Sequence, residues 1–127
     1  MPGVRFAGWL PREQVRDLML SSRALVFPSI WYETFGLVMV EGMAAGLPVI
    51  ASDLGGTPEI LGGSGPGELV PPGAVDAWAE AIRAVADDEA VDAAGAAARA
   101  RFEAAFTRER GLELLEECYE TVVNRPR

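Results

Sequence analysis

An apolar run, Ala24-Leu-Val-Phe27, closes on Pro28-Ser29, and a segment flanked by two glutamates follows at once: Glu33-Thr34-Phe35-Gly36-Leu37-Val38-Met39-Val40-Glu41. This order reads as strand, short loop, helix, the local geometry that presents a helix N-terminus to an anionic ligand. The pattern recurs and so constrains the fold. Strand-like runs at Val4–Ala7, Ala24–Phe27, Val49–Ala51 and Glu68–Val70 alternate with helical patterns at Arg12–Ser22, Phe35–Ala45, Val75–Asp87, Glu89–Ala105 and Arg108–Val123. Alternating strands and helices imply an α/β fold, a parallel sheet of three to four strands flanked by helices. In such sheets ligands bind beyond the carboxyl ends of the strands. Those ends fall near Gly8, Ser29 and Ser52, so three loops are expected to open on one side.

Local signals agree. Gly46-Leu47-Pro48 stops the helix after Glu41, and Thr57-Pro58-Glu59 starts another with a capping hydroxyl, an early proline and an early acid. Glu33 sits near the positive end of its helix, where a carboxylate complements the dipole. Glu41 is surrounded by Val38, Met39, Val40, Met43, Ala44 and Ala45, so its helix is expected to be largely buried. A charged Glu there reaches solvent at a cleft or accepts hydrogen bonds from something polar. Sugar hydroxyls are suitable donors. Glu41 lies about six residues beyond Phe35, or ~9 Å along a helix. That span suits a hexose at one glutamate, a ribose at the other and a diphosphate between them. Gly36 would let the backbone approach such a ligand. The plain alternative is a helix with one N-terminal and one surface glutamate.

Composition removes other classes. The chain has 127 residues, half of them hydrophobic, a net charge of −8, one cysteine and no histidine. That length suffices for a single domain over 1–127, with its late helices from about 74. Without histidine, a Ser-His-Asp triad and a His-ligated metal are excluded. A lone Cys118 excludes an internal disulfide. The acidic balance argues against nucleic-acid binding. No apolar run has membrane-spanning length, and the N-terminus does not resemble a signal peptide.

The stretch from Phe27 to Ser52, which carries both glutamates and ends in Pro48-Val-Ile-Ala-Ser52, closely resembles the donor-site signature of retaining glycosyltransferases with the GT-B fold, the large family called family four or group one. Asp53-Leu-Gly-Gly-Thr-Pro-Glu-Ile-Leu61 resembles that family's Gly-Gly-x-Pro-Glu loop. Gly67-Glu-Leu-Val-Pro-Pro-Gly73 and Val4-Arg-Phe-Ala-Gly-Trp-Leu10 resemble its flanking strands. The similarity covers nearly the whole chain in the family's order. It implies a partial Rossmann-like domain, the C-terminal half of a GT-B donor domain. The implied reaction is transfer of a sugar from a nucleoside-diphosphate sugar to an acceptor hydroxyl, with anomeric retention, no cofactor and no metal.

Carried over residue by residue, the resemblance makes Glu33 the catalytic-site residue that orients the sugar. It gives donor binding to Glu33, Thr34, Phe35, Gly36, Leu37 and Glu41, with backbone amides from Phe35, Gly36 and Leu37 and the ribose on Glu41. Leu10 would lie against the base, as would Trp9, for which packing on the neighbouring helix is an equal alternative. The resemblance also implies that the chain begins inside the donor domain, without the Arg and Lys that neutralise the leaving diphosphate; it contains no lysine. Alone it is expected to bind the donor weakly and not to catalyse transfer. Val4–Ala7 would then be an exposed edge open to a second copy or to the missing N-terminal half. The expected location is cytoplasmic, with a membrane-peripheral place open for the intact enzyme. A non-catalytic assembly module is the main alternative. A GT-B-like sugar-nucleotide epimerase is disfavoured by the absence of histidine.

Elsewhere ordinary packing is expected. Val75, Trp78, Ile82 and Val85 form one apolar face, and Leu112, Leu115, Tyr119 and Val122 another, both directed to the core. Asp87-Asp88-Glu89 reads as a solvated helix junction, and Arg99 and Arg101 as facing water. Arg12 and Arg16 would pair with Glu13 or Asp17 or meet a partner chain.

Overall fold

The computed structural model describes residues 3–62 and 67–124. Its elements run α1 (Arg12–Leu20), β1 (Leu25–Phe27), α2 (Leu37–Ala44), β2 (Val49–Ser52), α3 (Thr57–Leu61), β3 (Gly67–Val70), α4 (Val75–Ala84), α5 (Asp88–Ala105) and α6 (Arg108–Val123). The β-branched Val49 and Ile50 open a strand buried along its whole length, as a strand covered on both faces must be. β2 is central. Both neighbours pair with it in parallel, Leu25 opposite Val49 on one side and Val49 opposite Gly67 on the other.

The pleat divides the core. Val49 and Ala51 pack with Met39, Val40 and Met43 of α2, Ile60 and Leu61 of α3 and Ala98 of α5. Ile50 and Val70 point the other way, onto Ala77, Trp78 and Ala81 of α4. Helices therefore cover both faces of the sheet, as the alternating pattern predicts. α2 ends in a Schellman turn: Leu47 N–H donates to Gly42 O at 3.0 Å and Gly46 N–H to Met43 O at 3.0 Å. That turn feeds Pro48 directly into β2. No described helix is long and apolar enough to cross a membrane.

Several expectations need correction. Val4–Ala7 forms no strand and is exposed. A strand exists only as part of a ladder, and among the described residues this segment has no neighbour to pair with. Among the described residues the edge strands of the sheet are β1 and β3. Of the face expected for α4, Trp78 and Val85 pack toward the sheet, while Val75 and Ile82 are exposed and Ala77 and Ala81 take their place, because the alanines let the helix sit close. α6 has the expected bounds but buries no residue, and Leu112, Leu115, Tyr119 and Val122 are all exposed. Its stripe is real, but no described element covers it. Thr57 is buried as the first residue of α3, whose cap is Gly56, and its hydroxyl makes no capping bond. The Asp87 junction is as read: Asp87 caps α5 by accepting from Ala90 N–H at 3.0 Å, and Asp88 pairs with Arg23 at 2.7 Å. Arg16 pairs with Asp17 at 3.4 Å.

Candidate functional site

β1 ends at Phe27, and the chain leaves the sheet through Pro28. The Ser29 hydroxyl accepts from Trp31 N–H at 3.2 Å and donates to Trp31 O at 3.1 Å, a turn that leaves the side chains of Trp31 and Tyr32 exposed. Glu33 follows, half-buried. Its Oε1 accepts from Thr34 N–H at 3.0 Å and Phe35 N–H at 3.4 Å. Gly36 then caps α2 with a left-handed backbone, φ 63°, which a side chain would strain. Met39 N–H turns back to Gly36 O at 2.9 Å. The amides of Gly36, Leu37 and Val38 have no acceptor among the described residues. They form the positive end of a helix directed out of the sheet at its carboxyl edge.

The loop after β2 forms the second wall. Gly56 N–H donates to Glu33 O at 2.9 Å. A Cβ on Gly55 would stand 2.7 Å from Glu33 O, and one on Gly56 would stand 2.7 Å from Thr34 O. Only glycine permits this approach, so the Gly55-Gly56 pair joins the loops that leave β1 and β2. At the root of this wall the Ser52 hydroxyl is buried without a partner among the described residues.

Glu41 lies one to two turns along α2 and is exposed. It reaches solvent at a cleft, the first of the two options its sequence context left. That cavity, about 510 Å³, separates α2 from α1 and is lined by Arg12, Arg16, Met19, Leu20, Glu41 and Ala44, among others. No ion pair to Glu41 occurs among the described residues, so its carboxylate is available.

The structure thus gathers Glu33, Thr34, Phe35, Gly36 and Leu37 at one helix entrance, with Glu41 further along the same helix. Leu10 is half-buried ahead of α1 and is not among the residues lining the cavity between α1 and α2. Trp9 is 87% exposed, so it does not pack on the neighbouring helix. The convergence expected of three loops holds for two; the Gly8 end is not part of the sheet. Phe35 lies in the loop rather than in the helix, and its amide faces Glu33.

Arg99 is exposed, as expected, and Arg101 is half-buried, yet both are tethered. Arg99 Nη1 donates to Ala44 O at the end of α2, and its Nε pairs with Glu103 at 2.7 Å. Arg101 donates from Nη2 to Glu59 O at 3.0 Å and from Nε to Ile60 O at 3.3 Å, closing the end of α3. Both donate to carbonyls in the last turn of another helix, where acceptors outnumber helical N–H donors; Glu59 O also accepts from Gly62 N–H at 3.2 Å. Sequence reasoning missed Val38 as an amide donor and Gly55-Gly56 as a wall, although the glycine pair was visible. The Arg101 contacts span some forty residues and leave no local signal.

Residues 2–104 match the family model described as glycosyl transferases group 1. D-inositol 3-phosphate glycosyltransferase of Streptomyces avermitilis is 39% identical over 103 residues, 81% of this chain and 22% of that protein. Phosphatidyl-myo-inositol mannosyltransferase of Mycobacterium leprae is 38% identical over 79% of this chain and 28% of that protein. Among solved structures, sucrose-phosphate synthase of Thermosynechococcus elongatus superimposes with a TM-score of 0.81 at 35% identity, covering 94% of this chain and 30% of that one. HepE of Anabaena, solved with UDP-glucose, gives a TM-score of 0.71 at 27% identity over 85% of this chain and 29% of that one. The chain spans less than a third of each of these relatives. A parallel sheet with helices on both faces, a glycine-capped helix with one glutamate ahead of it and one within it, and a match over residues 2–104 lead to one assignment: the chain belongs to the group 1 glycosyltransferases, whose solved members here share the GT-B fold.

Proposed function

We propose that this chain forms the nucleotide-sugar-binding part of an enzyme that moves a sugar from a nucleoside-diphosphate sugar to an acceptor hydroxyl, with retention at the anomeric carbon. One observation carries the reading: the unengaged amides of Gly36, Leu37 and Val38 lie beside the Glu33 carboxylate at the positive end of α2. Such an end favours a diphosphate. A carboxylate accepts at both oxygens, and with Oε1 of Glu33 held by Thr34 and Phe35, Oε2 remains for a sugar hydroxyl. Glu41, exposed and without an ion-pair partner among the described residues, would take the ribose. Leu10 would lie against the base. The diphosphate would meet amides and a helix dipole, so the scheme needs no metal ion. HepE of Anabaena has been solved with UDP and with UDP-glucose, which makes a uridine nucleotide the first to test.

This chain, which spans less than a third of its relatives, is expected to bind the donor weakly and not to transfer on its own. The test is a calorimetric titration of the purified chain with UDP, GDP, ADP and their sugar conjugates, alongside Glu41→Ala. Saturable binding of one base is expected, weakened about tenfold in the variant by loss of a charge-assisted hydrogen bond. A Glu41→Ala chain that binds as well as the parent would remove the ribose role. No binding of any nucleotide would favour a second reading, an assembly module, for which the uncovered apolar stripe of α6 is the supporting observation.

A further inference from the structure

The loop that carries the candidate amides is held from a direction that the donor signature does not contain. Phe35 is 45% exposed, so core burial alone does not fix it. Its ring meets that of Phe106 edge to face, with centroids 6.2 Å apart and planes at 78°. This is a favoured aromatic geometry, with a positive ring edge against a negative face. Phe106 caps the C-terminus of α5 and packs against the core cluster. The guanidinium of Arg101 stacks over the Phe106 ring at 5.3 Å. The same guanidinium donates to Glu59 O and Ile60 O at the end of α3. α3 begins directly after Gly56, whose N–H holds Glu33 O. The contacts close a circuit: Glu33, Gly56, α3, Arg101, Phe106, Phe35 and back to Glu33.

We infer that Phe106, steadied by Arg101, is a positioning residue that sets the place of Phe35 and so aims the amides of residues 34–38. Phe106 touches no ligand under this assignment and acts through Phe35. It lies just beyond residues 2–104, the part of the chain that the family model matches. The inference rests on the proposed donor reading for its purpose, but its geometry stands apart from it. A T-shaped pair needs two rings. Leucine at position 106 would preserve apolar packing and lose the aim, whereas tyrosine would preserve both.

The experiment measures amide–water exchange by NMR on the full chain without ligand, comparing Phe106→Leu, Phe106→Tyr, Phe35→Leu and the double variant Phe35→Leu/Phe106→Leu with the parent. Phe106→Leu is expected to raise exchange at Thr34 and Phe35 about fivefold while Met43 and Val49 stay unchanged. Phe106→Tyr should restore the parent rates. The double variant should be no faster than Phe35→Leu alone, because the two rings act as one pair. Unchanged rates at residues 34–35 in Phe106→Leu would overturn the inference. A uniform rise across the core would overturn it too, since Phe106 would then be a simple core residue. Titration with UDP-glucose and with uridine separates this from the donor reading: Phe106→Leu should weaken UDP-glucose about fivefold and leave uridine unaffected. If the parent binds neither, the donor reading fails while the exchange rates still decide the role of Phe106.

Discussion

α2 and α6 are both helices with apolar side chains, yet their fates differ completely. α2 buries Met39, Val40, Gly42 and Met43 between the sheet and α5, while α6 buries nothing. α6 is the more clearly amphipathic of the two in sequence, with its stripe of Leu112, Leu115, Tyr119 and Val122. An apolar stripe states that a surface is needed; it does not supply one. α2 has the sheet on one side and α5 on the other. α6 is held mainly by its own backbone, its Thr107 cap and the Arg110 pairs with Glu113 and Glu117.

The contrast can be broken most sharply at the core. Met43 is fully buried, so Met43→Ala should cost about 2–5 kcal/mol in urea unfolding. Leu115→Ala, the matching truncation on α6, should stay within about 0.5 kcal/mol. Equal losses would mean that α6 is covered in solution. A smaller effect is expected where the two loops join. Gly56→Ala should cost about 1–3 kcal/mol by forcing a methyl against Thr34 O, and should shift the NMR resonances of residues 33–37 more than those of α4. An undisturbed loop would show that the glycine contact is slack. The finest comparison uses the caps of the last two helices. Asp87→Ala, which uncaps α5, should lower stability by about 1 kcal/mol because α5 packs on the core. Thr107→Ala should reduce helicity in circular dichroism but shift the unfolding midpoint by only a few tenths of a kcal/mol, by about the lower end of the cap range.

The same contrast explains what the sequence disclosed. The parallel α/β order, the stop at Gly46 and the bounds of α6 followed from local periodicity and turn chemistry. Local pattern also brought Glu33 to Leu37 to a helix entrance. It failed wherever a partner decides the outcome. Val4–Ala7 has the composition of a strand but no ladder to join. The face of α4 was set by how closely alanines approach Ile50 and Val70, and the places of Arg99 and Arg101 by carbonyls of distant helices. The bond from Glu33 to its own next two amides was hidden for another reason. Any carboxylate at a helix entrance has this option, and only the path of the loop selects it.

That last bond has a consequence for selectivity among cellular anions. A bare helix N-terminus accepts phosphate, sulfate or chloride with little preference. Under the proposed reading, this one already carries a negative charge of its own, which repels a small anion arriving alone. A ligand that brings hydroxyl donors for Glu33 together with charge for Gly36, Leu37 and Val38 satisfies both halves at once. The internal carboxylate would thus act as a filter, leaving the cradle closed to abundant inorganic ions and open to a sugar joined to its phosphates.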